Sequence, residues 1–128
     1  KVNTNLEPEL PQVYANPNRL DEVLINLLAN AIQELDKVSH RNRAILCSTW
    51  KDKNFAVLQV RDNAAGIEEN ILDHIFEPFV TTKSVRQGMG LGLSVVHTIV
   101  TRLQGQISAC NLDTGGATFT VKIPLFKS

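Results

Sequence analysis

No run of apolar residues in this chain approaches the ~20 needed to cross a bilayer, and the N-terminus shows no signal-peptide pattern. An excess of one charge is also missing, since 13 basic residues balance 13 acidic ones. Nucleic-acid and anionic-membrane surfaces usually carry a basic excess, so neither partner is expected, and no direct membrane contact. Cysteine is scarce. Cys47 and Cys110 both lie in strand-like apolar stretches and read as buried, reduced thiols, with a disulfide left open. His40, His74 and His97 are scattered without metal-ligand spacing and read as surface or helix-packing residues. Neither a Ser/His/Asp set nor a Cys/His set can be argued, and there is no internal repeat or low-complexity tract. What remains is 128 residues with 43% hydrophobic and 20% charged content, ordinary for one cytosolic globular domain with a single core. The chain opens on Lys1 rather than Met, so a piece of a longer protein is expected.

The pattern of elements mixes strand pairs with helices. Residues 2–6 and 12–14 read as short strands around the turn-like Glu7-Pro8-Glu9-Leu10-Pro11. Asn16 as N-cap and Pro17 at the first helical position start a helix expected to reach about Lys37. Leu20, Val23, Leu24, Leu27, Leu28, Ala31 and Leu35 recur in it at helical spacing. Residues 44–51 and 55–61 read as strands joined by a hairpin turn, then Asp62 to Gly66 as a loop and Glu68 to Phe76 as a short helix. A helix from about Leu91 to Leu103 follows, ended by Gly105. Residues 106–112 and 117–125 form the last strand pair around Asp113-Thr114-Gly115-Gly116. These elements predict an α+β two-layer sandwich, a mixed and mostly antiparallel sheet with helices on one face. The βαβ alternation of a dinucleotide fold is missing, and the Gly88–Gly92 run follows a loop rather than a strand.

Candidate chemistry concentrates between Ile75 and Leu93. Gly88, Gly90 and Gly92 open onto an apolar helix just after the basic Thr82-Lys83 loop. Without a Cβ, backbone N–H groups approach an anion closely, and a helix N-terminus adds unpaired donors, so phosphate is the obvious guest. Lys83 either neutralises that phosphate or is a surface lysine. Phe76 and Phe79 flank Pro78; either aromatic can pack in the core or wall a base pocket, with core packing the safer reading for Phe76. Asn26 and Asn30 share a helix face with Glu22 and Glu34. They are either amides on a solvated face or, at Asn30, a carbonyl oxygen for Mg²⁺. Asp62 either closes an Asx-type turn or accepts a hydrogen bond from an exocyclic amine such as that of adenine. Thr118 either points a hydroxyl into that pocket or is a plain strand residue. Gly115-Gly116 reads as a hairpin turn and nothing more.

In this order the motifs resemble the catalytic and ATP-binding domain of bacterial two-component sensor histidine kinases, within the GHKL superfamily. Asn26-Leu27-Leu28-Ala29-Asn30-Ala31 is similar to the asparagine box, and Asp62-Asn63-Ala64-Ala65-Gly66 to the first glycine box. Phe76-Glu77-Pro78-Phe79 with Val80-Thr81-Thr82-Lys83 is similar to the phenylalanine box. Gly88-Met89-Gly90-Leu91-Gly92-Leu93 is similar to the second glycine box, and Gly116-Ala117-Thr118-Phe119 to the last turn and strand. The Glu-Pro-Phe-x-Thr-Thr-Lys form and the short loop before Gly88 look most like the nitrogen-regulation type. The resemblance implies the GHKL ATP-binding fold, ATP and Mg²⁺ as cofactors, and γ-phosphoryl transfer to a histidine; the alternatives are an anti-sigma-type serine kinase and a degenerate nucleotide-binding module kept for protein contacts, for which Ala64 is the sequence support. That histidine lies on a partner dimerisation domain, and a response regulator stands further downstream. It implies that Asn30 holds Mg²⁺ and phosphate with Asn26 nearby. Asp62 binds the adenine amino group, Thr118 helps through water, and Gly66 lets the loop pass the base. Phe79 borders the base; Lys83, Thr82 and the backbone around Gly88, Gly90, Leu91 and Gly92 hold the phosphates. Residues 82–87 form a lid. Two departures stand out. The family usually has glycine where Ala64 stands, and none of His40, His74 and His97 sits in a phosphoacceptor motif. In hydrolysing relatives a Glu occupies the position of Asn26, so slow hydrolysis is expected here.

Overall fold

The apolar row on the first long segment folds as expected, because only one stripe of a helix can face a core. In the computed structural model, which describes residues 2–5, 17–36, 43–72, 74–76, 89–113 and 115–124, helix α1 (Pro17–Leu35) buries Val23, Leu27, Ala31 and Leu35 on that stripe. Strand β1 (Val2–Asn5) precedes it, and β2 (Ile45–Asp52) and β3 (Phe55–Asp62) follow as a hairpin turning at Lys53-Asn54. A short helix α2 (Glu69–Leu72) leads on to α3 (Met89–Arg102), then to the strand pair β4 (Gln106–Asn111) and β5 (Ala117–Pro124).

The described strands form one sheet in the order β1-β2-β3-β5-β4, with β1 parallel to β2 and every other pair antiparallel. Side chains alternate between the two faces of a strand, so register decides which residues meet the helices. Ile45 and Cys47 of β2, Val60 of β3 and Ala117, Phe119, Val121 and Ile123 of β5 share one core with α1 and with Leu93, Val96, Ile99 and Val100 of α3. The helices also pack on each other, with α1 against β3 and α3 against β4 and β5. This is the expected α+β layering.

Several expectations change in detail. The segment read as a helix to Phe76 stops at Leu72, and His74 N–H and Ile75 N–H reach back only three residues, to Ile71 and Leu72. That tighter turn aims Phe76 at the core, where it stacks on His97 at 5.8 Å and meets Phe119 edge-on at 6.2 Å. Helix α3 begins at Met89, so Gly90 and Gly92 lie inside its first turn rather than ahead of it. Its C-terminal left-handed residue is Gln104, φ 62°, while the Gly105 N–H bonds the Val100 carbonyl. Gly105 is needed for space instead, since a Cβ there would meet the Lys122 carbonyl oxygen at 2.3 Å. The two cysteines part company. Both are free thiols, but only Cys47 faces the core; Cys110 is exposed on the other side of edge strand β4. Residues 12–14, read as a second strand, fall outside the described residues.

Candidate functional site

Asp62 ends β3 on the helix-covered face and is 4% exposed, the only charged residue so buried among the described ones. A buried carboxylate is strongly disfavoured unless hydrogen-bonded. Its Oδ1 accepts the Ala64 N–H at 3.0 Å and the Ala117 N–H at 3.3 Å. The first bond is the Asx-type turn anticipated from sequence; the second pins the start of β5, 55 residues away. Turn closure and ligand recognition therefore stay compatible at one side chain.

The loop after Asp62 is tied down from three directions. Asn63 Oδ1 accepts the Ala44 N–H at 2.8 Å. Ala64 turns its methyl into the core, 6% exposed, and is not among the residues with positive φ. The family's glycine is thus not required by this backbone, and the extra methyl is packed rather than crowding the turn. Beyond Gly66, Asn111 at the end of β4 clamps Ile67 twice: Oδ1 accepts the Ile67 N–H at 2.7 Å and Nδ2 donates to the Ile67 carbonyl at 2.8 Å. Gly116 does more than turn a hairpin. Its φ is +99°, and a Cβ there would meet the Asp62 carbonyl oxygen at 1.9 Å. The sequence marks Gly116 only as a turn residue and does not mark Asn111 at all, because the partners of both are far away along the chain.

On α1, Asn26 and Asn30 are both half-buried on the row that also carries Glu22 and Glu34. The Asn26 Nδ2 donates to the Glu22 backbone carbonyl at 2.8 Å, one turn back. Gln33, one turn beyond Asn30, has a buried Oε1 with no hydrogen-bond partner. Helix α1 packs against both β3, which ends in Asp62, and α3, whose first turn holds Gly90, Leu91 and Gly92. The asparagine row, the buried carboxylate and the glycine-bearing helix start therefore belong to adjoining elements. Phe79, Thr82, Lys83 and Gly88 lie outside the described residues.

Thr118 does not join them. It pairs with Arg61 and Cys110 in register, whereas Ala117 and Phe119 share the face of Asp62 and Val60. Strand alternation puts the Thr118 side chain on the opposite face of the sheet. There it is buried, with Oγ1 unpartnered.

Residues 15–127 match the family model of histidine kinase-, DNA gyrase B- and HSP90-like ATPases. The chain belongs to that family. It is 40% identical over 116 residues to the two-component sensor PprA of Pseudomonas aeruginosa, covering 88% of this chain and 12% of that protein. It is 38% identical over 117 residues to the sensor histidine kinase ZraS of Escherichia coli strain K12, covering 91% of this chain and 24% of that protein. Among solved structures, the nucleotide-free catalytic domain of histidine kinase ThkA superposes with a TM-score of 0.81 at 31% identity, covering 98% of this chain and 78% of that one. The chain thus spans at most about a quarter of these two curated relatives. The match is to the ATPase family and to sensor histidine kinases at large; it does not single out the nitrogen-regulation subtype. Among the described residues no helix is long and apolar enough to cross a membrane.

Proposed function

We propose that this chain binds Mg-ATP and, as the catalytic domain of a longer sensor histidine kinase, transfers the γ-phosphoryl group to a histidine on a dimerisation domain, which in turn supplies a response regulator. Asp62 carries the reading. Its carboxylate is 4% exposed and held by two backbone N–H groups on one oxygen, where a solvated turn residue would suffice to close a strand. An ionised carboxylate only accepts, so it favours an amino-group donor such as that of adenine over a carbonyl. Ala117, on the same face, takes the place beside it that Thr118 was expected to fill.

Among the described residues no cluster of three or more His, Cys, Asp or Glu could cage a cation. The family resemblance gives Mg²⁺ to the Asn30 carbonyl oxygen and the nucleotide's own phosphates, hard oxygen donors of the kind that cation prefers. When bound, Mg²⁺ neutralises phosphate charge. The chain's own work is positioning. First-turn N–H groups at Gly90, Leu91 and Gly92 face phosphate without a Cβ at two of the three positions. Lys83, Thr82 and Gly88 extend the same phosphate site in this reading, and Phe79 borders the base. Asn26 stands where a general base would be, but an amide takes no proton usefully, and its Nδ2 is already bonded to Glu22. A neutral imidazole nitrogen is nucleophilic without that base, so transfer relies on orientation and slow hydrolysis follows.

A degenerate module kept for protein contacts is the rival. Its support was Ala64, and a packed methyl at ordinary φ removes that support. The test is thermal unfolding with ATP or ADP, with and without Mg²⁺, beside Asp62→Asn. Ligand at a hundredfold excess over Kd stabilises by ~2.7 kcal/mol. In Asp62→Asn the Oδ1 can still accept from Ala64 and Ala117, while an NH₂ now opposes the adenine amine. The shift is expected to vanish with the fold intact. An equal shift in wild type and variant refutes the Asp62 assignment, and no shift in wild type at millimolar nucleotide refutes the reading.

A further inference from the structure

Helix α1 presents a second surface, turned away from the asparagine row. Asp21, Ile25, Ala29, Ile32 and Asp36 succeed one another at three- or four-residue steps, which aligns them in one stripe. Asp36 lies just past the helix, but its N–H still bonds the Ile32 carbonyl, so it continues the stripe. All five residues are exposed, Ile25 at 64% and Ile32 at 49%. Single apolar side chains on a surface are ordinary; two of them on one stripe, two turns apart with only an alanine between, make a patch. Ile25, Leu28, Ala29 and Ile32 stand at i, i+3, i+4 and i+7, the four corners of a hole into which a neighbouring helix inserts one side chain. With alanine at one corner the hole is open to a large side chain. At 3.6 residues per turn, Ile25 and Ile32 lie roughly 100–160° round the helix from Asn26 and Asn30. A partner seated on the stripe leaves the asparagine row open, so it is distinct from the group that receives phosphate.

The two ends of the stripe narrow the partner. Asp21 and Asp36 are exposed carboxylates, about 22 Å apart at 1.5 Å per residue, and neither makes an ion pair among the described residues. A second copy of the chain fits poorly. A two-fold antiparallel pairing that brings Ile25 and Ile32 together across its axis also brings Asp21 and Asp36 together, like charge on like. An anionic lipid surface is repelled by the same two carboxylates. The chain has no basic helix of its own to offer, since Arg102 is the only lysine or arginine in α3. We propose that this stripe docks an amphipathic helix of a partner protein. One large aliphatic side chain of that helix fills the hole between Ile25 and Ile32, and a lysine or arginine on each side of it meets Asp21 and Asp36. Docking of this kind is independent of nucleotide.

The probe is a synthetic alanine-based helical peptide of about 20 residues, long enough to hold its helix. It carries leucines at the spacing of Ile25, Ala29 and Ile32 and lysines at the spacing of Asp21 and Asp36; a second peptide has glutamates in place of the lysines. Fluorescence anisotropy of the labelled peptides reads Kd. The lysine peptide is expected to bind at least ~10-fold more tightly than the glutamate peptide, and to weaken as salt rises. Ile25→Ser and Ile32→Ser are each expected to weaken it at least ~10-fold. Val95→Ser, at an exposed apolar position on α3, is expected to leave it unchanged. Asp21→Lys combined with Asp36→Lys is expected to invert the preference between the two peptides. The proposal is overturned by a lysine peptide that fails to bind at millimolar protein, by equal binding of the two peptides, or by a preference that survives the double lysine substitution. A loss in Val95→Ser as large as in Ile32→Ser would show unspecific apolar contact and overturns it as well. So does a wild-type dimer in sedimentation that Ile32→Ser dissociates, because a second copy is then the occupant. Should a serine variant not fold, the charge inversion decides alone.

Discussion

Two adjacent glycines in the β4–β5 turn allow a controlled measurement of how the site is built. Gly115 and Gly116 have nearly the same φ, +100° and +99°. An alanine at either must adopt a left-handed backbone, at ~1–2 kcal/mol. The surroundings differ. A Cβ on Gly115 finds its nearest neighbour, the Ala64 carbonyl oxygen, at 4.0 Å, which is ordinary contact. A Cβ on Gly116 meets the Asp62 carbonyl oxygen at 1.9 Å, its carbon at 2.8 Å and the Asn63 Cα at 2.9 Å. These are backbone atoms, and forcing them apart adds an overpacking term of ~1–3 kcal/mol. Gly115→Ala should therefore lose ~1–2 kcal/mol and Gly116→Ala ~2–5 kcal/mol. Urea unfolding at unchanged m-value reads both. The displaced backbone belongs to Asp62, so Gly116→Ala should also shrink the ADP-induced thermal shift, and Gly115→Ala should not. Equal destabilisation in the two variants, or an intact ADP shift in Gly116→Ala, would refute the claim that this turn presses on the Asp62 strand end.

Asn111→Ala removes both hydrogen bonds to Ile67, at an exposed position. At ~0.5–1.5 kcal/mol per bond, a loss of roughly 1–3 kcal/mol is expected, with faster hydrogen exchange at the Ile67 amide; protection that stays unchanged would contradict the clamp. Burial raises the Cys47 thiol above its ordinary value, so at a given pH it holds less thiolate, while Cys110 is exposed. Native protein should take one alkyl label quickly, at Cys110, and the second only on unfolding; two fast labels would mean that Cys47 is not enclosed. The same shift predicts that its contribution to stability is present below the free-thiol pKa and is lost as pH rises through the raised native value.

Which parts of this architecture can be read along the chain follows from the range of the contacts involved. Helix α1 was legible because its apolar spacing is a property of neighbouring residues, and the β2–β3 hairpin because its strands are separated by two turn residues. Thr118 and Cys110 both lie on the face away from the helices for one reason, since they are register partners. The signal was present: Ala117, Phe119, Val121 and Ile123 alternate with Thr118, Thr120 and Lys122 along β5, and only the first set is apolar enough for the core. The period, rather than the hydroxyl of Thr118, decides which face that side chain takes. Asn111 and Gly116 are different. Ile67 lies 44 residues from Asn111, and the backbone that Gly116 must clear belongs to another strand. No window of sequence contains both halves of either contact.

The same distinction separates two kinds of failure at the site. Ala64, Asn111 and Gly116 brace the end of β3 that carries Asp62 and the loop after it: Ala64 N–H donates to Asp62 Oδ1, Asn111 holds Ile67, and Gly116 packs on the Asp62 carbonyl. A change in this group alters the position of the carboxylate only by moving strands, so stability and adenine affinity should fall together. Asn26 and Asn30 sit half-buried on helix α1, on a row that flanks the stripe held by Val23, Leu27, Ala31 and Leu35. A change on their row leaves that stripe packed, so cation dependence should change while stability stays near wild type. Plotting ADP affinity against unfolding free energy across both groups puts this to the test: the strand-end variants should lie on a slope and the helix variants on a line of constant stability. A single common slope would mean that the helix row, too, is part of the scaffold, and that the cation is held by something else.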